Sequence, residues 1–371
     1  MKKEWKIYEF EKCLEKIPRY NKIPKNKFLL KGNFPIISQE KDFINGYWDN
    51  FEDVIEVKKP VVIFGDHTKV VKLIDFNFVV GADGVKIFQP IDGINAEYLA
   101  FFLQNIQLDD LGYARHYRLL KQVNVPIPPL EEQRTIVAKL DQAFAAIDQA
   151  KANIEKNITN AKELFQSKLD QIFSQKGDGW EESTLGELCI FSQGIQRDVK
   201  LQREICGDNQ VRFLRIVDFT QGNESPRYID FPGEKYIISS DDVSLVRYGA
   251  STGFVCHGLA GALANNMFRV IPKSRIISNK FLKIYLESSI FQNVIKIKMN
   301  GAAMPAISFG MINNLIFPYP KSLENQQQIV TQLDQLQEQT NLLVTKYQQK
   351  LANLEELKKS ILEKAFKGEL S

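Results

Sequence analysis

The chain has 371 residues but only three histidines and four cysteines. His67, His116 and His257 show no HxxxH or HExxH spacing, so no metal centre is expected. Cys13, Cys189, Cys206 and Cys256 lie far apart without a CxxC pair, which argues against zinc or a disulfide framework and for a reducing compartment. No apolar window of about 18 residues occurs, so neither a membrane span nor a membrane partner is expected. The opening MKKEWKIYEFEKC lacks the apolar run of a signal peptide, and a cytoplasmic location is the expectation. A GxxxxGK[ST] loop is missing, which excludes a P-loop ATP motor. So is an FxGxG paired with a [DNS]PP[YF] element, the set adenine methyltransferases carry; IPPL at 127–130 lacks both the polar first residue and the aromatic. No cofactor and no catalytic residue are expected. A D…ExK nuclease set can be laid on Asp53, Glu56 and Lys58, but such triplets arise easily by chance.

Charge of one sign is also scarce. The formal net charge is +3, too small to indicate nucleic acid by itself. Segments 131–176 and 321–371 each balance seven basic against seven acidic residues, so the excess lies elsewhere. The first 31 residues hold ten Lys/Arg against four Glu, a local basic arm or simply a solvated face.

What the sequence does have is a repeat. VPIPPLEEQRTIVAKLDQ at 125–142 returns as FPYPKSLENQQQIVTQLDQ at 317–335. Beyond it the copies align without gaps at an offset of 193, with identities at Leu140/Leu333, Asn160/Asn353, Leu164/Leu357, Leu169/Leu362 and Phe173/Phe366. Each copy opens on prolines (Pro126, Pro128 and Pro129; Pro318 and Pro320) that keep the chain extended, so a helix begins only after them. An acidic first turn follows, Glu131-Glu132 or Glu324, suited to a helix N-terminus. More than 40 residues without Pro or Gly then run to Gly177 and Gly368. Apolar residues recur at sevens: Leu140, Ile147 and Ile154 with Phe144, Ile158 and Phe165 beside them, then Leu333, Tyr347, Leu354 and Ile361 with Val344 and Leu351. Two helices of roughly 60–65 Å are predicted. Lys151, Lys168, Thr340 and Lys358 interrupt the seams. Tethered in one chain, the two helices are expected to pair antiparallel with each other; homodimerisation through each is the alternative.

Ahead of each helix lies a segment of short β-branched and aromatic runs broken by Gly, Asp and Asn, such as KPVVIFGDHTKVVKLI before the first and NNMFRVIP before the second. These read as strand-rich globules. Each later holds a helical patch with an N-cap candidate, Asn95 or Ser278. The expected fold class is α+β, globule–helix–globule–helix, a pseudo-twofold tandem repeat. The helix copies agree while the globule copies differ, which suits two modules that read different things at a fixed separation.

This layout resembles the specificity subunit of Type I restriction–modification systems. VPIPPLEEQRTIVAKL is similar to that family's junction between recognition domain and spacer helix; FPYPKSLENQQQIVTQL is a weaker match, with an extra residue and Asn325 where Glu-Gln is usual. FGDHTKVVKLIDFNFVVGADGVKIFQP (64–90), GYARHYRLLKQVNVPIPPL (112–130) and YGASTGFV (248–255) resemble stretches of its recognition domains. The resemblance implies target-recognition domains at 1–129 and 177–321 and spacer helices at 130–176 and 322–371. It implies a non-catalytic DNA-binding subunit reading a bipartite site in double-stranded DNA, with the paired helices setting the gap. Two DNA-methyltransferase (modification) subunits are the implied partners, with restriction/translocase subunits as further ones. A rod of about 60 Å spans roughly 18 base pairs, enough for two half-sites and an unread spacer.

Base edges are read by Arg on guanine, Asn or Gln on adenine, and Ser or Thr at either. In the first domain the candidates are Asp66, His67, Thr68 and Lys69, with Arg115, His116, Arg118 and Lys121. Asp66 suits cytosine N4 or the orientation of Lys69, Arg115 suits guanine, and Arg118 and Lys121 suit phosphates. GDHT equally fits a tight turn capped by Asp. In the second domain Ser251 and Thr252 sit in GASTG, where glycines permit close backbone approach, though a plain hairpin turn fits as well. Asn265, Asn266, Asn300, Arg247 and Arg212 are weaker candidates; Tyr113, Tyr117 and Tyr248 could touch sugars or thymine methyls. A coiled-coil adaptor without a DNA role and a small Mg-dependent nuclease remain the alternatives.

Overall fold

The computed structural model describes residues 4–82, 84–109, 115–273, 275–299 and 306–370. The chain divides into two units, Met1–Glu155 with Gln348–Ser371, and Lys156–Tyr347.

Among its described residues the first unit holds ten strands: β1 (Lys6–Glu9), β2 (Leu14–Glu15), β3 (Phe34–Ile37), β4 (Gly46–Trp48), β5 (Val54–Ile55), β6 (Val61–Gly65), β7 (Val71–Ile74), β8 (Phe78–Val80), β9 (Val85–Pro90) and β10 (Asn124–Ile127). Helices α1 (Ala96–Asn105) and α2 (Tyr117–Leu120) precede β10, and α3 (Leu130–Gln175) follows it. The strands form sheets of order β2-β9-β6-β7 and β4-β3-β8-β5, with β1 paired to β10. β3 and β8 pair in parallel and the other ladders are antiparallel. β6, VVIFG, is buried at every position because both its faces are covered, so its apolar run is continuous rather than alternating.

The second unit repeats this plan with β11 (Trp180–Thr184), α4 (Leu185–Leu188), β12 (Cys189–Gln193), β13 (Gln210–Leu214), α5 (Ile216–Thr220), β14 (Arg227–Asp230), β15 (Ile237–Ile238), β16 (Val243–Val246), β17 (Val255–Cys256), β18 (Gly261–Leu263) and β19 (Met267–Pro272). Then come α6 (Asn279–Glu287), α7 (Ser289–Met299), α8 (Phe309–Asn313), β20 (Ile316–Pro320) and α9 (Leu323–Lys367). Its sheets run β12-β19-β16-β17, β14-β13-β18-β15 and β11-β20, the first unit's order strand for strand, including the parallel pair, here β13 with β18. Asn95 and Ser278 cap α1 and α6, accepting from Tyr98 N at 2.8 Å and Phe281 N at 3.2 Å.

Part of each long helix completes each unit. In the first, Leu140, Phe144 and Ile147 of α3 and Leu362, Ala365 and Phe366 of α9 share one core with Trp5, Tyr98 and Phe102. The Phe366 ring stands 5.2 Å from that of Tyr98 and 5.4 Å from that of Phe102. In the second, Leu169 and Phe173 of α3 join Val330 and Leu333 of α9. Phe173 stands 5.5 Å from Phe281 and 5.4 Å from Tyr285. Within the first unit the helices are antiparallel: Lys151 pairs with Glu355, Lys358 with Asp148 at 3.7 Å, and Lys139 reaches the carbonyl of Leu370 at 2.7 Å. Two lysines that interrupt the apolar seam thus find carboxylates, and Lys358 also lies 4.6 Å above the Phe144 ring. Leu354 and Ile361 pack on the edge of the first core and Phe165 on that of the second. Ile154 and Leu351, and in the second unit Ile158, Val344 and Tyr347, are half-buried outside those cores. Among the described residues no helix is long and apolar enough to cross a membrane. Cys13, Cys189 and Cys256 are buried free thiols, and Cys206 is exposed.

Candidate nucleic-acid interface

The two stretches singled out in the first domain, 66–69 and 115–121, are distant in sequence and meet in space. Residues 66–69 form the turn of the β6–β7 hairpin, closed by Gly65 N to Val70 O and Lys69 N to Gly65 O, both 2.8 Å. Gly65 is needed there, since a Cβ would stand 2.2 Å from Thr68 Oγ1, and Lys69 takes the left-handed conformation at φ 59°. Asp66 fastens the second stretch to this turn. Its carbonyl accepts from His116 N at 2.8 Å and lies 2.9 Å from His116 Nδ1, and its carboxylate accepts from Tyr117 N at 2.7 Å.

That geometry corrects two expectations. Asp66 is 2% exposed and His116 is fully buried, so neither presents a polar edge to a base. Both are spent on building the surface, and burying them unpaired would be costly. His67 and Lys69 are half-exposed; Thr68, Arg115, Arg118 and Lys121 are exposed. Thr68 donates Oγ1–H to Gln39 O at 2.6 Å and Lys121 is paired with Glu11 at 2.8 Å. Tyr117 stacks on Phe88, with Lys86 and Lys121 ammonium groups 4.9 and 5.2 Å from its ring centre. Burial and then the Glu11 carboxylate raise its phenol pKa, so the hydroxyl stays protonated. Tyr113 lies outside the described residues.

The turn rests on a loop the sequence did not flag. Gln39 accepts from His67 N through Oε1 at 3.1 Å as well as from Thr68. The loop carrying it is held by Lys72, a buried lysine of β7 whose ammonium donates to the carbonyls of Ser38 at 3.0 Å and Asp42 and to Asn45 Oδ1 at 3.3 Å. Burial lowers its pKa; the surrounding oxygens give the charge partners in place of water.

In the second unit GASTG forms the topologically matching β16–β17 turn. Gly253 N bonds Val246 O and Val246 N bonds Phe254 O, both at 2.9 Å, while Thr252 Oγ1 turns inward to Gly249 O at 2.6 Å. The post-helix segment docks here too, by Ile307 N to Arg247 O at 2.8 Å. Ser251 and Tyr248, both half-exposed, line a cleft of about 540 Å³ with Asn265, Asn266, Arg197 and Arg215. Asn265 Nδ2 donates to Gln196 Oε1 at 3.4 Å, and Asn266 Oδ1 is buried without a protein partner. Arg247 reaches Gln193 Oε1 at 2.9 Å and covers the Phe309 ring. Arg212 is engaged by buried Asp218 at 3.5 Å, as is Arg215 at 3.0 Å, so both serve the framework. Asn300 lies outside the described residues.

Sequence reasoning missed Arg197, Gln193 and Gln196. The signal was Gly194 between two amides: a Cβ there would meet Ala264 O at 2.2 Å, so the strand end must press against the 263–266 turn. In the nuclease triplet the Asp53 carboxylate accepts from Asn21 and Trp48 Nε1, both at 2.8 Å, and from Asn50. Those bonds lower its pKa.

Known proteins place this arrangement. The family described as "Type I restriction modification DNA specificity domain" matches residues 2–160 and again 177–353. The Type I restriction enzyme EcoBI specificity subunit of Escherichia coli is 25% identical over 294 residues, 68% of this chain and 60% of that protein. The StySPI specificity subunit of Salmonella potsdam is 27% identical over 282 residues, 67% and 58% of the two. The matched stretch thus spans about three fifths of the length of these relatives. A solved chain described under "complex assembly and conformational transition of the type I R-M system" shares the fold with a TM-score of 0.77, at 19% identity over 99% of both chains. With the family matched twice over most of its length, on two units of one topology, the chain belongs to the Type I restriction–modification DNA specificity family.

Proposed function

We propose that this chain is the DNA-reading, non-catalytic specificity subunit of a Type I restriction–modification complex. The domain at 1–129 reads one half-site and that at 177–321 the other, and the helices at 130–176 and 322–371 set the unread gap. The observation that carries this reading is the repeated surface. Two units of one topology present the same hairpin with a post-helix segment bonded to it, furnished with different side chains. An adaptor has no use for that difference; a reader of an asymmetric target needs it. Arg115 is the candidate for a guanine edge and Arg118 for a phosphate in the first half. Ser251, Asn265 and Arg197 are the candidates in the second. Two methyltransferase subunits are the proposed partners, with restriction subunits joining them, in the cytoplasm. The matched leucines Leu164 and Leu357, 64% and 47% exposed on α3 and α9, suit such docking.

The test is to co-express the chain with its neighbouring methyltransferase in a host lacking that modification and to sequence the DNA for methylated adenine. A bipartite, asymmetric motif that vanishes without this chain is the expected result. Methylation by a folded methyltransferase that is indifferent to the chain would sink the reading. In vitro, binding must also weaken steeply with salt, which a coiled-coil adaptor would not show.

A further inference from the structure

Gln133 and Gln326 occupy equivalent positions, 193 residues apart, one turn into α3 and α9. Both are completely buried. A buried amide must satisfy its acceptor and its donors, and the two do so identically. Gln133 Nε2 donates to Pro128 O at 2.8 Å and Gly93 O at 2.9 Å, while Oε1 accepts from Asn95 N at 2.8 Å. Gln326 Nε2 donates to Pro320 O at 2.9 Å and Ile276 O at 2.7 Å, while Oε1 accepts from Ser278 N at 2.9 Å. The second junction carries one more residue between proline and glutamine, and the clip is kept regardless.

Each amide therefore fastens three things at one point: the root of a long helix, the end of the proline strand, and the capping residue of α1 or α6. Tyr98 and Tyr285 tie those helices to the same strands, donating to Pro126 O at 2.6 Å and Ile316 O at 2.8 Å. Prolines stiffen the strand but provide no N–H with which to hold the helix root, so the glutamine supplies the lock. Angular slack matters here. A play of about 5° at the root of a 46-residue helix, about 69 Å long, moves its far end by about 6 Å, close to two base-pair rises of about 3.4 Å.

We infer that Gln133 and Gln326 are positioning residues for spacing specificity: by locking recognition domain to helix root they restrict the protein to one gap length between half-sites. The inference rests on the bipartite reading proposed above. Its test uses the complex with the methyltransferase and duplexes carrying both half-sites at the native gap, one base pair shorter and one longer. Gln133→Met and Gln326→Met, made separately, keep side-chain length and remove the amide. Each is expected to shrink the preference for the native gap about tenfold, with both half-site sequences unchanged in the methylation map. An unchanged preference, or an affinity lowered by the same factor on all three duplexes, including through misfolding, would overturn the inference. A wild-type complex indifferent to the gap would instead overturn the bipartite reading itself.

Discussion

The β6–β7 and β16–β17 turns stand at the same point of two matching sheets, yet they are held by different means. In the first unit buried side chains do it: Asp66 and His116 bond across the gap, and Lys72 organises the loop that carries Gln39. In the second, main-chain bonds do most of it, with Arg247 contributing its backbone to Asn266 and Ile307, while Thr252 Oγ1 donates to Gly249 O and Gln292 Nε2 to Gly253 O. At the helix roots the reverse holds, and the same residue makes the same three bonds twice. Once strands and roots are fixed, a turn's chemistry is free to change, and a recognition surface can diverge on a constant frame.

That contrast can be broken at several points. The most disruptive is the pair Phe366→Ala and Phe173→Ala, equivalent rings that close opposite units. Each is expected to cost about 3–5 kcal/mol, with hydrogen-exchange protection falling in α1 for Phe366 and in α6 for Phe173. Equal loss in both helices would show that the units are not closed separately. Next, Asp66→Ala orphans the Tyr117 N–H at a cost of about 1–3 kcal/mol. Affinity for one half-site should drop at least tenfold while Asp66→Asn, which keeps an acceptor, does much better; the second half-site should be untouched in a binding titration. Smaller still, Arg118→Ala should flatten the slope of log affinity against log salt by about 0.9, without altering sequence preference.

The smallest effect concerns pH and only the second unit. Burial lowers the pKa of His257, whose Nε2 has no protein partner. The unfolded chain therefore takes up its proton first, near its ordinary pKa of about 6.5. Stability is complete above that pH and is lost as pH falls toward the folded value. His257→Gln should flatten the decline in melting temperature between about pH 6.5 and 5, and leave the first unit's behaviour unaltered.

The long helices were legible because their signals are local: prolines bar an earlier start, glycines end them, and sevenfold apolar spacing fills the interval. The caps at Asn95 and Ser278 were legible for the same reason. Sheet order was not, because the β3–β8 and β13–β18 pairs join strands far apart in sequence, and alternation alone does not say which neighbour a strand takes. Sequence could mark 66–69 and 115–121 as polar and suited to DNA; it could not show that Asp66 and His116 face each other. Lys72, Gln133 and Gln326 escaped for a related reason. Each reads as a solvated polar residue until the carbonyls that surround it are known.

The most direct test of the account is a methylation map of two paired variants in the complex. Arg115→Ala with Arg118→Ala alters the first turn's neighbourhood, and Ser251→Ala with Asn265→Ala alters the second. The expected result is that each pair relaxes one half of the bipartite motif, a different half in each case, and leaves the other half intact. A motif in which both halves change together, or neither changes, while methylation persists would contradict the claim that each hairpin surface reads its own half-site.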